Sequence, residues 1–253
     1  MSIKEIYNDA LETLIIMWKR RLFVFSIILF DFLFFLGLII INMQIFIAAS
    51  DDLKNIQLMI QDQNQKLTDT EFGKIDDILM KDQEFVSRYN NVKKLLLIFV
   101  ILFFGLFFIL QGLAWALAHL IFHKIKIYLF AGKFFISSLL SFVLLFISGQ
   151  LIINSQTLGI IVLIIIFYFI TLFNSLISQQ NTFKKIFELF KEQKLITSFI
   201  TGFLLVLITS LDMFWLFNYN FYIGVSSSLL FFLALAFLRI HLIKNIKSLQ
   251  NLQ

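Results

Sequence analysis

An aspartate lies in the middle of the first long apolar stretch of this chain. Asp31 stands ten residues after Arg21, about 15 Å along an α-helix and therefore near the centre of a bilayer. A carboxylate at that depth costs roughly 2.5–3.5 kcal/mol, so it should face other helices and carry either a proton or a partner. Such residues occur in ion and proton pathways and also in polar contacts that hold helices together.

Two side chains in other apolar stretches are candidate partners of Asp31. Gln111 should lie at a similar depth, counted back from the cytoplasmic end of its own stretch. Arg239 should lie nearer the inner surface, from which it would have to reach inward. Pairing with Gln111 predicts a protonated aspartate that links helices, and this arrangement is favoured. Pairing with Arg239 predicts an ionised aspartate instead.

Three histidines form a second candidate group. His119 and His123 are four residues apart, the spacing of neighbours on one helical face, and His241 should lie at a similar depth. Imidazoles in such a cluster can bind zinc or another divalent cation, but a metal site usually includes further ligands, and no HExxH motif is present. The favoured alternative places them at the membrane interface beside Lys124 and Arg239.

Other chemistry is excluded by residue types or by missing motifs. The chain has no cysteine, which excludes disulfides and thiolate chemistry. It has no GxSxG elbow, no glycine-rich phosphate loop and no paired carboxylates at glycosidase-like spacing. We therefore predict no catalytic residue and no cofactor, and we favour a protein that is not an enzyme.

Composition indicates the medium in which these residues act. Hydrophobic residues make up 60% of the 253, the mean hydropathy is +0.91, and only 15% of residues are charged. An ordinary soluble domain carries roughly a quarter charged residues. So much apolar surface cannot be hidden within one soluble core, so the chain is predicted to be an integral membrane protein.

Long apolar stretches predict an all-α, polytopic membrane fold with six transmembrane helices, interfacial amphipathic helices and an extracytoplasmic helical hairpin. The predicted spans cover residues 22–49, 95–122, 134–153, 157–178, 195–217 and 221–243. The first is expected to be a retained anchor, because its apolar run is much longer than the roughly 7–15 residues of a signal peptide. The chain has no proline, so straight helices are expected.

Two segments are predicted to lie flat on the cytoplasmic surface as amphipathic helices. The first covers residues 1–21, where Ser2 and Glu5 have the spacing of a capping box, and the second covers 179–194. The alternative for the second is a simple extension of a neighbouring span. Anionic lipid headgroups are expected to contact the adjacent basic residues, which are Lys19, Arg20, Arg21, Lys184 and Lys185.

The segment 50–94 is the largest piece outside the predicted spans. Its apolar residues recur at steps of three and four, and Gly73 marks a turn, so the pattern predicts a helical hairpin that continues the first two spans. A rigid connector is favoured over a binding finger, because the charged face carries no recognisable ligand motif.

Charge distribution predicts the orientation in the cell membrane. Two thirds of the lysines and arginines fall on one side if both termini are cytoplasmic, as the positive-inside rule requires. These bases account for the sequence pI of about 9.3, so the basic balance points to anionic lipid and not to nucleic acid.

Three functions are compatible with these features. The favoured one is a non-catalytic scaffold or interaction component that binds a membrane-protein partner or a second copy of itself. The alternative is a small transporter or channel subunit that uses the intramembrane Asp31 and Gln111. The remote one is an intramembrane enzyme with a histidine-based metal site.

Overall fold

The computed structural model describes residues 2–66, 79–179 and 182–250, and these residues form helices and no strand. A π-helical turn, Phe107–Gln111, lies within the second apolar stretch. The α-helices are α1 (Ile3–Lys19), α2 (Arg21–Lys66), α3 (Gln83–Leu106), α4 (Gly112–Leu120), α5 (Ile127–Asn154), α6 (Gln156–Leu176), α7 (Thr182–Leu189), α8 (Gln193–Tyr219) and α9 (Phe221–Gln250).

Six of the described helical segments are long and apolar enough to cross a membrane. They are α2, α3 continued through the π-turn into α4, α5, α6, α8 and α9. This finding confirms the all-helical class and the predicted number of candidate spans, and it is consistent with a membrane-embedded protein.

The second span contains a π-helical turn. Its α-helical hydrogen bonding changes to a π-turn at Phe107–Gln111 and resumes at Gly112. A π-turn inserts an extra residue into the helical register and rotates the side chains around it. The absence of proline removes only one cause of helix irregularity, and a π-turn is another.

The N-terminal helix α1 begins with the predicted capping box. The hydroxyl of Ser2 accepts from the Glu5 amide at 3.3 Å, and the Glu5 carboxylate accepts from the Ser2 amide at 2.8 Å. The two bonds satisfy two backbone donors that a helix start otherwise leaves unpaired.

The described chain divides into two compact units. We call the described part of Met1–Leu33 and Phe107–Gln253 the bundle unit, and Phe34–Leu106 the two-helix unit. Within the bundle unit α9 is central, because it packs against α1, α4, α6 and α8. Its apolar window is 67% buried, whereas those of the other five spans are 6–44% buried. Side chains on α9 are therefore well placed to pair with several helices.

Helices α8 and α9 pack closely through a glycine. A Cβ atom on Gly202 would lie 3.2 Å from the Leu238 Cα and 2.5 Å from one of its methyl carbons. Small residues allow such approach, which increases van der Waals contact between membrane helices. This close approach brings the polar residues near the C-terminal end of α9 next to α8.

The two-helix unit contains the predicted hairpin. Phe34 and Phe103 pack edge to face, and a Cβ on Gly37 would lie 2.9 Å from a methyl carbon of Leu106. Asp52 accepts hydrogen bonds from Arg88 and Asn91 farther along the same two helices. The two helices therefore contact each other through these side chains at both ends of the unit. Gly73, the predicted turn, lies outside the described residues.

A separate helix, α7, occupies part of the second predicted amphipathic segment. It covers Thr182–Leu189, shorter than the predicted 179–194, and Gln193 already belongs to α8. Ile186 is fully buried, while Phe187, predicted to share its face, is 73% exposed. The helix is thus neither an extension of α6 nor of α8.

Candidate functional site

Asp31, Gln111 and Arg239 meet inside the bundle unit and form what we call the triad. Asp31 lies three turns into α2, Gln111 ends the π-turn, and Arg239 lies in the second half of α9. The Asp31 side chain is 0% exposed and that of Arg239 is 7% exposed. The chain therefore places an acid, an amide and a base from three helical segments at one buried point.

The geometry of the triad is bidentate. Arg239 donates from Nη1 to Asp31 Oδ2 at 2.5 Å and from Nη2 to Oδ1 at 2.9 Å. Gln111 donates from Nε2 to Asp31 Oδ1 at 2.9 Å and accepts from Arg239 Nη2 at 2.6 Å. Every member contacts the other two. The planar guanidinium matches two carboxylate oxygens, which makes this pairing strong and directional.

This arrangement gives Asp31 a cationic partner. Arginine stays protonated in proteins, and a carboxylate that accepts from both guanidinium nitrogens has its charge neutralised directly. Arg239 is thus the principal partner, while Gln111 orients the pair. Asp31 thus contacts both of its predicted partners, Gln111 and Arg239.

A tryptophan completes the surroundings of the triad. The ring centre of Trp115 lies 5.4 Å from the guanidinium carbon of Arg239. An aromatic face attracts a cation, and the attraction is strongest where water is excluded. The guanidinium of Arg239 thus has the Trp115 ring near it in addition to the Asp31 carboxylate.

The three histidines are not brought together. His119 donates from Nε2 to the Asn174 carbonyl at 2.8 Å, and its Nδ1 contacts the Ser178 hydroxyl at 3.1 Å. His241 Nδ1 lies 2.7 Å from Thr13 Oγ1. Because Thr13 already donates to a backbone carbonyl, it accepts from His241. Both buried histidines therefore form contacts through their ring nitrogens. His119 contacts α6 and His241 contacts α1.

The predicted metal cluster does not form among the described residues. No group of three or more histidine, aspartate or glutamate side chains there is close enough to bind a metal ion. Helix α4 ends at Leu120, so His123 lies in the connection to α5. Burial, with a smaller contribution from the charge of Lys247, lowers the pKa of His123 below its ordinary 6.5.

A second polar cluster, which we call the junction, fixes α1 to the C-terminal half of α9. Asp9 accepts from Lys244 at 2.6 Å and from the Asn245 amide at 2.7 Å. Asn245 also donates to Ser198 on α8 at 2.7 Å. Together with the contact between Thr13 and His241, these bonds connect three helices.

The Asp9 carboxylate is stabilised by its partners. Burial would raise the pKa of the Asp9 carboxyl, but hydrogen bonds from Lys244 and Asn245 outweigh burial, so the pKa lies below its ordinary 3.8. The positive charge of Lys244 acts in the same direction. The carboxylate is therefore the stable form at neutral pH.

The predicted lipid-contacting bases lie at the surface of the bundle unit. Lys19, Arg20, Arg21 and Lys184 are exposed, and Lys185 is half-buried. Lys184 forms an ion pair with Glu188 at 3.8 Å, and Lys185 donates to the Gln179 side chain at 3.2 Å. All five are available to a headgroup at or near the surface.

The sequence alone did not predict the junction. Asp9 and Lys244 lie in amphipathic stretches where charges usually face water, so neither residue is unusual alone. The usable signal was the polar series His241, Asn245 and Ser248, whose four- and three-residue steps lie on one face of the last turns of α9. A buried polar stripe predicts a polar partner helix.

The chain matches no family model, no curated protein and no solved structure.

Proposed function

We propose that the protein is a non-catalytic membrane scaffold, in which the bundle unit is a fixed frame and the two-helix unit binds a partner. The main support for this proposal is that the polar atoms of Asp31 in the triad are fully hydrogen-bonded within the protein. Both oxygens of Asp31 accept from Arg239, one also accepts from Gln111, and no part of Asp31 is exposed. A transport site must exchange its ligand with water, whereas a structural contact has no such need.

Other buried polar groups support a fixed frame. The junction connects α1, α8 and α9, and Ser137 donates to the Asn174 side chain at 2.6 Å between α5 and α6. Polar contacts of this kind hold membrane helices in one register, since the apolar surfaces alone discriminate weakly. The polar residues inside the bundle are thus used to link helices.

The two-helix unit supplies the proposed binding surface. A surface pocket of about 530 Å³ lies on it, lined by Asp52, Glu84, Ser87, Arg88, Asn90, Asn91 and Lys94. These side chains carry both signs of charge and several amides, which suits a polar protein surface better than a small apolar ligand. The partner is another membrane protein or a second copy of this chain, and the proposed orientation puts this surface outside the cytoplasm.

Site-specific photo-crosslinking in intact cells tests the proposal. A photoreactive amino acid at Ser87 or Asn90, two exposed residues that line the pocket, should form one discrete adduct, with the same protein from both positions. The matched control is Ile101 on α3, which is 61% exposed but lies in an apolar stretch and should contact lipid. Absence of a discrete adduct at both positions contradicts the scaffold.

The transporter alternative makes a different prediction for the same protein. A flux of protons or cations in proteoliposomes, lost when Asp31 and Arg239 are both replaced by leucine, would support transport. The scaffold predicts that this double variant keeps the crosslinked adduct and shows no change in flux. The two measurements together separate the two functions.

A further inference from the structure

A basic pocket lies where the α4–α5 connection meets the end of α6. It has a volume of about 270 Å³, and its polar lining includes Lys124, Lys126, Lys133, Ser178 and Gln179. Three of these side chains are cationic and none of the lining residues described is acidic. The pocket therefore carries a positive charge that its own walls do not balance.

The three lysines have different roles in this pocket. Lys133 donates to the backbone carbonyls of Ile177 at 3.2 Å and Gln179 at 2.5 Å, so it caps the C-terminal end of α6. Lys124 and Lys126 are exposed at the pocket rim. The capping lysine is held by the protein, and the two rim lysines remain to face an anion.

An apolar groove continues directly from the basic pocket. The groove has a volume of about 240 Å³ and runs between α4 and α5, and Phe130 lines both cavities. Its floor is formed by small residues, Gly112, Ala116 and Ala131. Along α5 the groove extends from Ile127 to Phe134, about 10 Å of helix, which is most of one leaflet's hydrocarbon depth.

We propose that the basic pocket and the apolar groove together bind one membrane phospholipid with an anionic headgroup. The phosphate lies against Lys124 and Lys126, and an acyl chain lies in the groove against Leu113 and Ala131. Charge complementarity selects the headgroup, and the apolar continuation distinguishes a lipid from a free anion, which has no use for a groove. Basic pockets between membrane helices on the cytoplasmic side recognise acidic lipids by the same chemistry.

This site is distinct from the general attraction of bases to an anionic surface. Lys19 and Arg20 are exposed where α1 ends and have no place among the residues that line the pocket or the groove. They supply a matched control, since replacing them removes the same charge without touching the cavity. A bound lipid, unlike a diffuse layer, also places its chain at defined residues.

The test uses the full chain in nanodiscs with a phosphatidylglycerol probe that carries a diazirine on one acyl chain. We expect mass spectrometry to locate adducts on groove residues such as Ile109, Leu113 and Ala131. K124Q/K126Q should lower this labelling about tenfold, equivalent to about 1.4 kcal/mol. K19Q/R20Q should leave the labelling unchanged, and Ala131→Phe, which fills the groove, should abolish groove adducts while thermal stability is kept.

Three outcomes overturn the proposal. Equal groove labelling by a phosphatidylcholine probe of the same chain would show that headgroup charge is not recognised. A loss in K19Q/R20Q as large as in K124Q/K126Q would indicate diffuse attraction only. Displacement of the probe by excess inorganic phosphate would mean that the pocket takes a free anion. The comparison of the two lipid probes on the unaltered chain applies even if a variant fails to fold.

Discussion

The triad and the junction each pair an acid with a base between helices, at two different positions in the bundle. In each, an acid near the N-terminal end of the chain pairs with a base on α9: Asp31 with Arg239, and Asp9 with Lys244. In the triad the base is a planar guanidinium and the acid has no exposed surface. In the junction the base is an ammonium, both partners are 11% exposed, and Lys244 also contacts the exposed Glu12.

This difference shows where an ion pair needs precise hydrogen-bond geometry. Near the bilayer centre an imperfect pair leaves charge without water, so a bidentate contact and an orienting amide are needed. Near the surface water can compensate, so a point charge with several acceptors is sufficient. The cost of removing one partner should therefore fall from the triad to the junction, and further to the ion pair of the two-helix unit.

The largest effect is expected when one member of the triad is removed. Arg239→Leu leaves the Asp31 carboxylate buried and unpaired, which should lower the free energy of unfolding by about 3–5 kcal/mol. Removing both charges with D31L/R239L should cost much less than either single change, because no charge is left unpaired. Unfolding in mixed micelles by SDS titration measures both differences.

Arg21→Leu is the control for this series. It removes a cation from the same helix as Asp31, but Arg21 is exposed, so little change is expected. Asp31→Asn should also destabilise, since it leaves a permanently charged guanidinium. Normal stability of Asp31→Asn would show instead that Asp31 is neutral and that the pairing with Gln111 suffices.

An intermediate effect is expected at the junction. Asp9→Asn should weaken docking of α1 by about 1–2 kcal/mol, through loss of charged hydrogen bonds from Lys244 and Asn245. Because the pKa of folded Asp9 lies below 3.8, its stabilisation is complete well above that pH and is lost as the pH falls through the lower folded value. Docking of α1 should therefore weaken as the pH falls in the unaltered chain, and Asp9→Asn should abolish this pH dependence.

Spin labels at Tyr7 and Tyr128, both exposed, report docking by the distance between them. The chain has no cysteine, so labels can be attached at chosen sites without background. Glu12→Gln is the matched control, since Glu12 contacts the same lysine at 3.0 Å but is 69% exposed and should matter little. Equal undocking in both variants would contradict the junction.

Much of the triad could be predicted, and the reason is physical. In an apolar span a lone charge is so costly that it must find a partner, and counting residues at 1.5 Å per step limits the candidates to Gln111 and Arg239. The ranking of the two could not be predicted, because it depends on how far α9 lies from α2 in depth. That distance is a property of packing and not of hydropathy.

The junction and the π-turn show what a single sequence does not reveal. Asp9 and Lys244 lie among charged residues that ordinarily face water, so only the fold distinguishes them from a solvated face. The π-turn has no distinctive residue of its own, since Phe107 to Leu110 are ordinary membrane-helix residues and Gln111 indicates a polar contact but not a change of helix type. The histidine cluster failed because a fixed helical face was assumed past Leu120, where α4 ends.

The smallest effect is expected at Arg88 in the two-helix unit, which completes the series. Arg88 donates to Asp52 at 3.1 Å and to Glu84 at 2.8 Å, with its side chain 28% exposed and that of Glu84 64% exposed. Water and salt screen such a pair, and holding the long side chain in place costs entropy. Arg88→Gln should therefore leave the thermal unfolding temperature within experimental error, and the result should not change between low and high salt. Lys54→Gln on α2, an exposed cation for which the structure records no ion pair in its described residues, is the control. A loss of stability in Arg88→Gln comparable to that in Arg239→Leu would mean that pair geometry, and not depth, determines the cost of breaking an ion pair in this protein.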